Sequence, residues 1–324
     1  MDRFWTLLRG LADGRFHSGS ELAATMGVGR GAVWKQIEHL RRCGLVVHAV
    51  RGRGYRLASP VEWLDAEQIG RWLGDTDPAP LPQVEVVPET DSTNSQLLGC
   101  LARGESAPRA LLAEIQRAGR GRQGRRWHSP PGGSLALSVG WRFHRLTDPP
   151  AAASLVAGLA VAEALEETGV AIGLKWPNDL LAGGEKLGGI LVEMRGDPTA
   201  ACDMVVGVGL NLRLSEAARD TLDRPVTDLY RLAGEVPARN RLAGRILHRL
   251  ARTLYRFGRE GFSPFRGPWQ QRDLLIGRQV RVETPAGDLA GVVLGVDEQG
   301  ALLLESEGRR HRLVSAEVHL GEGW

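Results

Sequence analysis

Residues 116 to 127 read Gln116-Arg117-Ala118-Gly119-Arg120-Gly121-Arg122-Gln123-Gly124-Arg125-Arg126-Trp127, with five arginines in the ten positions from 117 to 126. So dense a positive charge repels itself unless an anion meets it, and the glycines let backbone amides approach one closely. Arg120 or Arg122 can clamp a carboxylate through two parallel hydrogen bonds beside a triphosphate, where exclusion of water strengthens each contact. The competing reading of such a run is a solvated basic surface loop. Gly119, Gly121 and Gly124 also spell G-x-G-x-x-G, but a dinucleotide fingerprint requires a helix to start there. The chain runs instead into His128-Ser129-Pro130-Pro131-Gly132-Gly133, which excludes that reading. No G-x-x-x-x-G-K-[ST] occurs, so a nucleotide site here is not of the P-loop kind. A second cluster is Lys175-Trp176-Pro177-Asn178-Asp179-Leu180, followed by Lys186-Leu187-Gly188-Gly189-Ile190. Proline bends a strand end so that polar side chains face one place. Lys175 and Lys186 can neutralise phosphate oxygens, while the Asn178-Asp179 pair can hold Mg²⁺ or receive a proton. Taken alone, Trp176-Pro177-Asn178-Asp179 also reads as a simple tight turn. A third cluster, Asp91-Ser92-Thr93-Asn94, caps the helix that follows or reads a ureido or amide ring through three hydrogen-bonding side chains.

These side chains need carriers. The chain's 324 residues suffice for two or three cores, and 43% hydrophobic with 24% charged residues is ordinary for a globular chain. No apolar run is long enough for a bilayer span and no secretory signal is visible, which leads to the expectation of a cytoplasmic protein that makes no membrane contact. Cys43, Cys100 and Cys202 lack a C-x-x-C pair and the eight histidines lack H-E-x-x-H spacing, which argues against disulfides and a transition-metal site. Residues 1 to 60 hold ten Lys or Arg against four Asp or Glu, net +6, whereas the rest of the chain is net −3. The basic module, not the body, is therefore expected to meet a polyanion.

Within that module the periodicity predicts a helix over 2–12, a second over 21–26 capped by Ser20, and a third over 30–43 beyond the break Gly27-Val28-Gly29. Helix, glycine turn, helix is a helix-turn-helix, whose second member would present Arg30, Lys35 and Gln36 to a major groove, with Trp34 mid-helix. Leu45 to Val50 and Arg51-Gly52-Arg53-Gly54-Tyr55-Arg56-Leu57 read as a hairpin wing, with Arg51 and Arg53 set to neutralise phosphates. One or two linking helices follow Pro60. Strands are expected at 84–87, 110–115, 134–141, 170–175, 187–195 and 203–210, with helices at 92–103, from Asp148 to Glu167, and around 240–260. This makes a mixed α+β sheet. The last fifty residues alternate short strands with turns, as a small β-barrel would.

Taken in order, Asp91-Ser92-Thr93-Asn94, Gly119-Arg120-Gly121-Arg122 with Gly124-Arg125-Arg126-Trp127, Lys175 to Leu180, Lys186-Leu187 with Gly189-Ile190, and Gly207-Val208-Gly209-Leu210-Asn211 resemble the biotin–protein ligases. The resemblance is to their bifunctional class, whose members also repress biotin synthesis, and it spans essentially the whole chain. It implies a winged helix-turn-helix over 1–60, a central class II synthetase-like ligase domain over 61–272, and a small SH3-like β-barrel over 273–324. The implied activity is that of a biotin–[acetyl-CoA-carboxylase] ligase: ATP and biotin give biotinyl-5'-AMP, with Mg²⁺, and biotin passes to a lysine of a biotin carboxyl carrier domain.

By the same resemblance Ser92, Thr93 and Gln116 bind the biotin rings, supported by Asn94, and Arg120, Gly121 and Arg122 close over the adenylate. Trp127 is an aromatic wall, Lys186 meets the carboxylate and α-phosphate, and Asn211 lies on the nucleotide side. Arg120, Arg122, Lys175, Lys186 and Asp179 form the catalytic set, with Asn178 and Asp179 as candidate Mg²⁺ ligands. Adenylate-bound chains are expected to form a homodimer on operator DNA. The C-terminus lacks an arginine that some relatives place near the nucleotide, which argues against a C-terminal contribution to the site. Two alternatives are a lipoate–protein ligase, which lacks the Gly-Arg-Gly-Arg loop and winged helix, and a biotin-sensing repressor without catalysis, against which Lys186, Asp179 and the loop speak.

Overall fold

A computed structural model describes residues 3–320 apart from 76, 221, 223, 285 and 286. At its N-terminus α1 (Arg3–Leu11), α2 (Gly19–Met26) and α3 (Arg30–Arg42) precede a hairpin of β1 (Val47–Val50) and β2 (Gly54–Leu57). Phe4, Leu7, Leu8 and Leu11 of α1 form one core with Leu22, Val33, Ile37 and Leu40 of the other two helices. The cap of α2 is Ser18, not the expected Ser20. Ser18 alone has Glu21 three residues on, so each can accept the other's backbone N–H in a capping box. Gly54 is required in the wing. Its φ is +97°, a Cβ there would lie 1.9 Å from the His17 carbonyl oxygen, and Tyr55 and His17 exchange two 2.9 Å backbone hydrogen bonds.

The central body contains α4 (Ala66–Arg71), β3 (Gln83–Thr90), α5 (Thr93–Ala102), β4 (Arg109–Gln116), β5 (Ser134–Phe143) and α6 (Ala152–Glu166). It continues through β6 (Gly173–Lys175), β7 (Asp179–Ala182), β8 (Glu185–Gly196), β9 (Cys202–Asn211), α7 (Glu216–Asp220), α8 (Leu229–Ala233), α9 (Arg239–Glu260) and α10 (Ser263–Gln270). Its seven strands run β3-β4-β5-β9-β8-β7-β6, with β3 and β4 parallel and every other pair antiparallel. Period-two alternation gives the sheet two unlike faces. Val139, Val206, Val208 and Leu210 belong to the large core with α6 and the inner stripe of α9, Leu242, Ile246, Leu250, Leu254 and Phe257. Ser138, Gly189, Gly207 and Gly209 belong to the other parity, and their small size leaves room above that face.

Beyond α10, β10 (Gln279–Thr284), β11 (Gly287–Val296), β12 (Leu302–Ser306), β13 (Arg309–Leu313) and β14 (Glu317–Leu320) make a five-stranded antiparallel sheet in the order β13-β12-β11-β10-β14. Val280, Val282, Leu302, Leu304 and Val318 continue the central core rather than forming a separate one. The strand β7 and the helix α10 are not anticipated by periodicity, since each is short and bounded by the residues that ordinarily mark turns. The segment joining the first helices to the body is tied down by buried polar groups. Arg239 at the start of α9 pairs with Glu114 at 2.8 Å and donates to the carbonyl oxygens of Glu62 and Ser134, while Asn240 donates to Glu62 and the Trp63 carbonyl.

Candidate active site

The Lys-Trp-Pro-Asn-Asp stretch is the turn between β6 and β7, which sets Lys175 directly across from Asp179. Asp179 in turn faces Gly189 on β8, and Gly189 faces Gly209 on β9, so one transverse row leads from two charged residues to a glycine floor. A bulge between Leu180 and Leu181 brings Lys186 opposite Leu181 and turns its side chain back over the row. Its Nζ donates to Asp179, and a Cβ on Gly189 would meet it at 3.4 Å. Arg224 reaches the other Asp179 oxygen at 3.5 Å. Burial pushes Lys175 and Lys186 below the ordinary lysine range and Arg122 below the ordinary arginine range, and in each case the Asp179 carboxylate opposes the shift. The carboxylate thus helps to keep a set of desolvated cations charged. Trp176 itself is core, with its indole N–H donating to the Gly300 carbonyl at 3.1 Å.

The arginine-rich stretch is a tight hairpin. Arg120 bridges Arg126, Gly121 N donates to Arg125 O at 2.7 Å, Trp127 N donates to Gly119 O at 2.8 Å, and Arg122–Gly124 is a 3₁₀ turn with Gln123 at φ 54°. Its five arginines diverge. Arg117 clamps Glu89 through two bonds, Arg126 donates to the Arg117 carbonyl, and Arg125 ion-pairs with Glu317. Arg120 pairs with Glu193 at 2.6 Å, and among the described residues Arg122 reaches the neutral oxygens of Asn178 (3.4 Å) and Ser315 (3.2 Å).

Ser92, Thr93 and Asn94, all nearly fully buried, open α5, where Ser92 is the cap that its sequence suggests. Thr93 donates to Gln116 Oε1 through its amide (2.8 Å), and its hydroxyl lies 3.1 Å from the same oxygen. Asn94 donates to Leu191 O and Glu193, and the Ser138 hydroxyl lies 2.6 Å from its oxygen. The glycines of β9 permit these approaches. A Cβ on Gly207 would lie 2.3 Å from Asn94 Oδ1, and one on Gly209 would lie 2.5 Å from the Trp127 ring. Asn211 closes the row, donating to the Thr227 carbonyl at 3.1 Å.

All of Ser92, Thr93, Asn94, Gln116, Arg120, Gly121, Arg122, Trp127, Lys175, Asn178, Asp179, Lys186 and Asn211 line one cavity of about 320 Å³. Sequence reasoning misses several of its neighbours. Arg224 sits in a segment without motif or periodicity, and Glu193 carries no signal beyond strand alternation. Glu317 and Val318 of β14 also line the cavity, so the C-terminal sheet does reach the site. Asn178 and Asp179 do not fit the cation site expected of them. Mg²⁺ requires several hard oxygens in near-octahedral array. Here the Asn178 oxygen accepts from Arg122, both Asp179 oxygens face cations, and Asn178 Nδ2 donates to the Ile190 carbonyl. One carboxylate whose charge is already offset by Lys175, Lys186 and Arg224 attracts a further cation weakly.

On the N-terminal module Arg30, Trp34 and Lys35 are exposed on α3, Gln36 is half-buried, and Arg51 and Arg53 are exposed at the wing, where Arg53 lies 4.3 Å over the Phe16 ring. No described helix is long and apolar enough to cross a membrane.

Three family models match the chain: an HTH domain over residues 6–56, the Biotin/lipoate A/B protein ligase family over 86–211, and the Biotin protein ligase C terminal domain over 275–321. The bifunctional ligase/repressor BirA of Salmonella typhimurium is 40% identical over 97% of this chain and 96% of its own length, and that of Bacillus subtilis 33% identical over 96% and 95%. A biotin protein ligase of Aquifex aeolicus in complex with biotin and ATP superposes with a TM-score of 0.63 at 29% identity, covering 74% of this chain and 99% of its own. The motifs, the order of the three matched segments and the near-complete two-way coverage agree, and the chain belongs to the bifunctional ligase/repressor family of biotin protein ligases.

Proposed function

We propose that the chain joins biotin to ATP as biotinyl-5'-AMP, transfers biotin to a lysine of a biotin carboxyl carrier domain, and binds operator DNA through its winged helix. The observation that carries this reading is the convergence of Arg120, Arg122, Lys175 and Lys186, from three separate stretches, on one cavity. In the first step a biotin carboxylate oxygen attacks the α-phosphorus of ATP, a C–O–P anhydride forms, and pyrophosphate leaves. Two anions must meet, and preorganised cations in a dry pocket offset their repulsion. Ser92, Thr93 and Gln116 hold the biotin rings with Asn94 behind them, Trp127 walls the site over the glycine floor, and Asn211 lies on the nucleotide side. Mg²⁺ belongs to the nucleotide as Mg·ATP, since the residues here do not make a site of their own for it. In the second step a neutral lysine amine of the acceptor attacks the anhydride carbonyl, an amide forms as AMP leaves, and the amine's surplus proton passes to solvent, with Asp179 orienting the amine. The three units over 1–60, 61–272 and 273–324, and a homodimer of adenylate-bound chains on a palindromic operator, complete the proposal.

Incubation of the full chain with biotin, ATP, Mg²⁺ and a carrier domain, followed by detection of biotinyl-lysine, tests it. Transfer of biotin supports the ligase; transfer of lipoate alone would replace it with the related activity.

Two further outcomes follow. Gly209→Ala pushes a methyl group into the Trp127 ring, and overpacking of this kind costs about 1–3 kcal/mol. Biotin affinity, measured by calorimetry, should fall by roughly 5- to 150-fold, with the fold retained. On the DNA side, Arg51→Ala with Arg53→Ala should make the plot of log K against log salt shallower by about 2, since each lost phosphate contact removes about 0.9. An unchanged slope would take the wing off the backbone.

A further inference from the structure

We infer that Glu193 is a positioning residue that couples the arginine hairpin to the shelf holding the biotin rings, one carboxylate oxygen serving both. This deepens the reading above and rests on it. Glu193 Oε2 accepts from Arg120 Nη2 at 2.6 Å and from Asn94 Nδ2 at 2.9 Å, although Glu193 itself is not among the residues that line the cavity. The two donors come from different elements, Arg120 from the hairpin and Asn94 from the first turn of α5. Asn94 cannot adjust. Its second amide hydrogen goes to Leu191 O at 3.1 Å, its oxygen lies 2.6 Å from the Ser138 hydroxyl, and Gly207 is small because nothing larger than hydrogen fits beside it. The one hydrogen of the Ser138 hydroxyl goes to the Asn94 oxygen, so the Thr93 hydroxyl, 2.7 Å away, donates to Ser138, and Thr93 reaches Gln116 through its amide at 2.8 Å. An unbroken chain therefore runs Arg120, Glu193, Asn94, Ser138, Thr93, Gln116.

Arg120, whose side chain is 43% exposed, is the solvent end of that chain, and Asn94, at 3%, is its buried end. Glu193 thus references the hairpin to the ring-binding residues. The ionic half of its role, toward Arg120, depends on its charge. The half toward Asn94 depends only on an acceptor oxygen, which an amide also supplies.

The two halves can be separated with the full chain. Glu193→Gln keeps the acceptor and removes the charge, and Glu193→Ala removes both. With biotin, ATP and Mg²⁺ but no acceptor, escape of labelled adenylate into solution should be about tenfold faster in Glu193→Gln, while its KM for biotin stays within about twofold of the parent. Glu193→Ala should show the same escape and in addition a KM for biotin raised about tenfold. Adding Glu193→Gln to Arg120→Ala should produce no further escape, because both act through one contact. A residue that merely supports the fold would lower the melting temperature and move KM and escape together. Escape from Glu193→Gln at the parent rate, or equal KM changes in the two variants, overturns the inference. If the parent chain releases no pyrophosphate with biotin and ATP, the ligase reading itself falls, a result distinguishable from failure at Glu193.

Discussion

Lys186→Ala should lower pyrophosphate release by about 10²–10³-fold, corresponding to about 2.7–4 kcal/mol of barrier, the usual effect of removing one preorganised charge from a water-poor site. The expectation rests on where the ammonium sits. It is held against Asp179 beside the glycine floor, and burial lowers its proton affinity while Asp179 raises it. A desolvated cation of this kind interacts with a phosphate far more strongly than a solvated one. Lys175 and Arg122, also pushed down by burial, share the cavity but reach it from a different strand and from the hairpin. Neither can occupy the position that the bulge gives Lys186. Arg224 remains beside Asp179 in the variant, so the carboxylate keeps a partner and the melting temperature should change little. Normal pyrophosphate release by a folded Lys186→Ala chain would remove Lys186 from the reaction.

Arg239→Met should destabilise the chain by about 3–5 kcal/mol, because removing one partner of a buried ion pair leaves the other charge uncompensated. Arg239 and Glu114 are 2% and 3% exposed, and the same guanidinium satisfies the carbonyl oxygens of Glu62 and Ser134. Glu114 also accepts from the Leu64 amide at 2.5 Å, so its charge cannot be moved to solvent without freeing the segment that follows the winged helix. Thermal unfolding should show a midpoint lower by roughly 10 °C. Pairing the change with Glu114→Gln should recover part of the loss, since the stranded charge is then gone. A midpoint within a degree or two of the parent would mean that the pair carries no net stabilisation.

Much of the site is legible from residue order because its clusters are local. Ser92 to Asn94 cap a helix whatever else they do, and the Gly-Arg hairpin advertises an anion through its charge density. The Lys-Trp-Pro-Asn-Asp turn places its two charged ends opposite one another within five residues. The glycines Gly207 and Gly209 are visible as a motif, but their purpose is not. Only the packing shows that Asn94 and Trp127 need the space.

Local composition also determines the basic first module, the α+β character and the residues that do chemistry, because caps, turns and alternation act over a few positions. Tertiary structure decides which cation keeps which carboxylate. Glu193 on Arg120, Glu317 on Arg125 and Arg224 on Asp179 join positions 73, 192 and 45 residues apart. The cations around Asn178 and Asp179 argue against a metal there for the same reason. A carboxylate's role is set by the charges that surround it in space, and the field at Asp179 is the sum of side chains from the hairpin, two strands and the segment around Arg224.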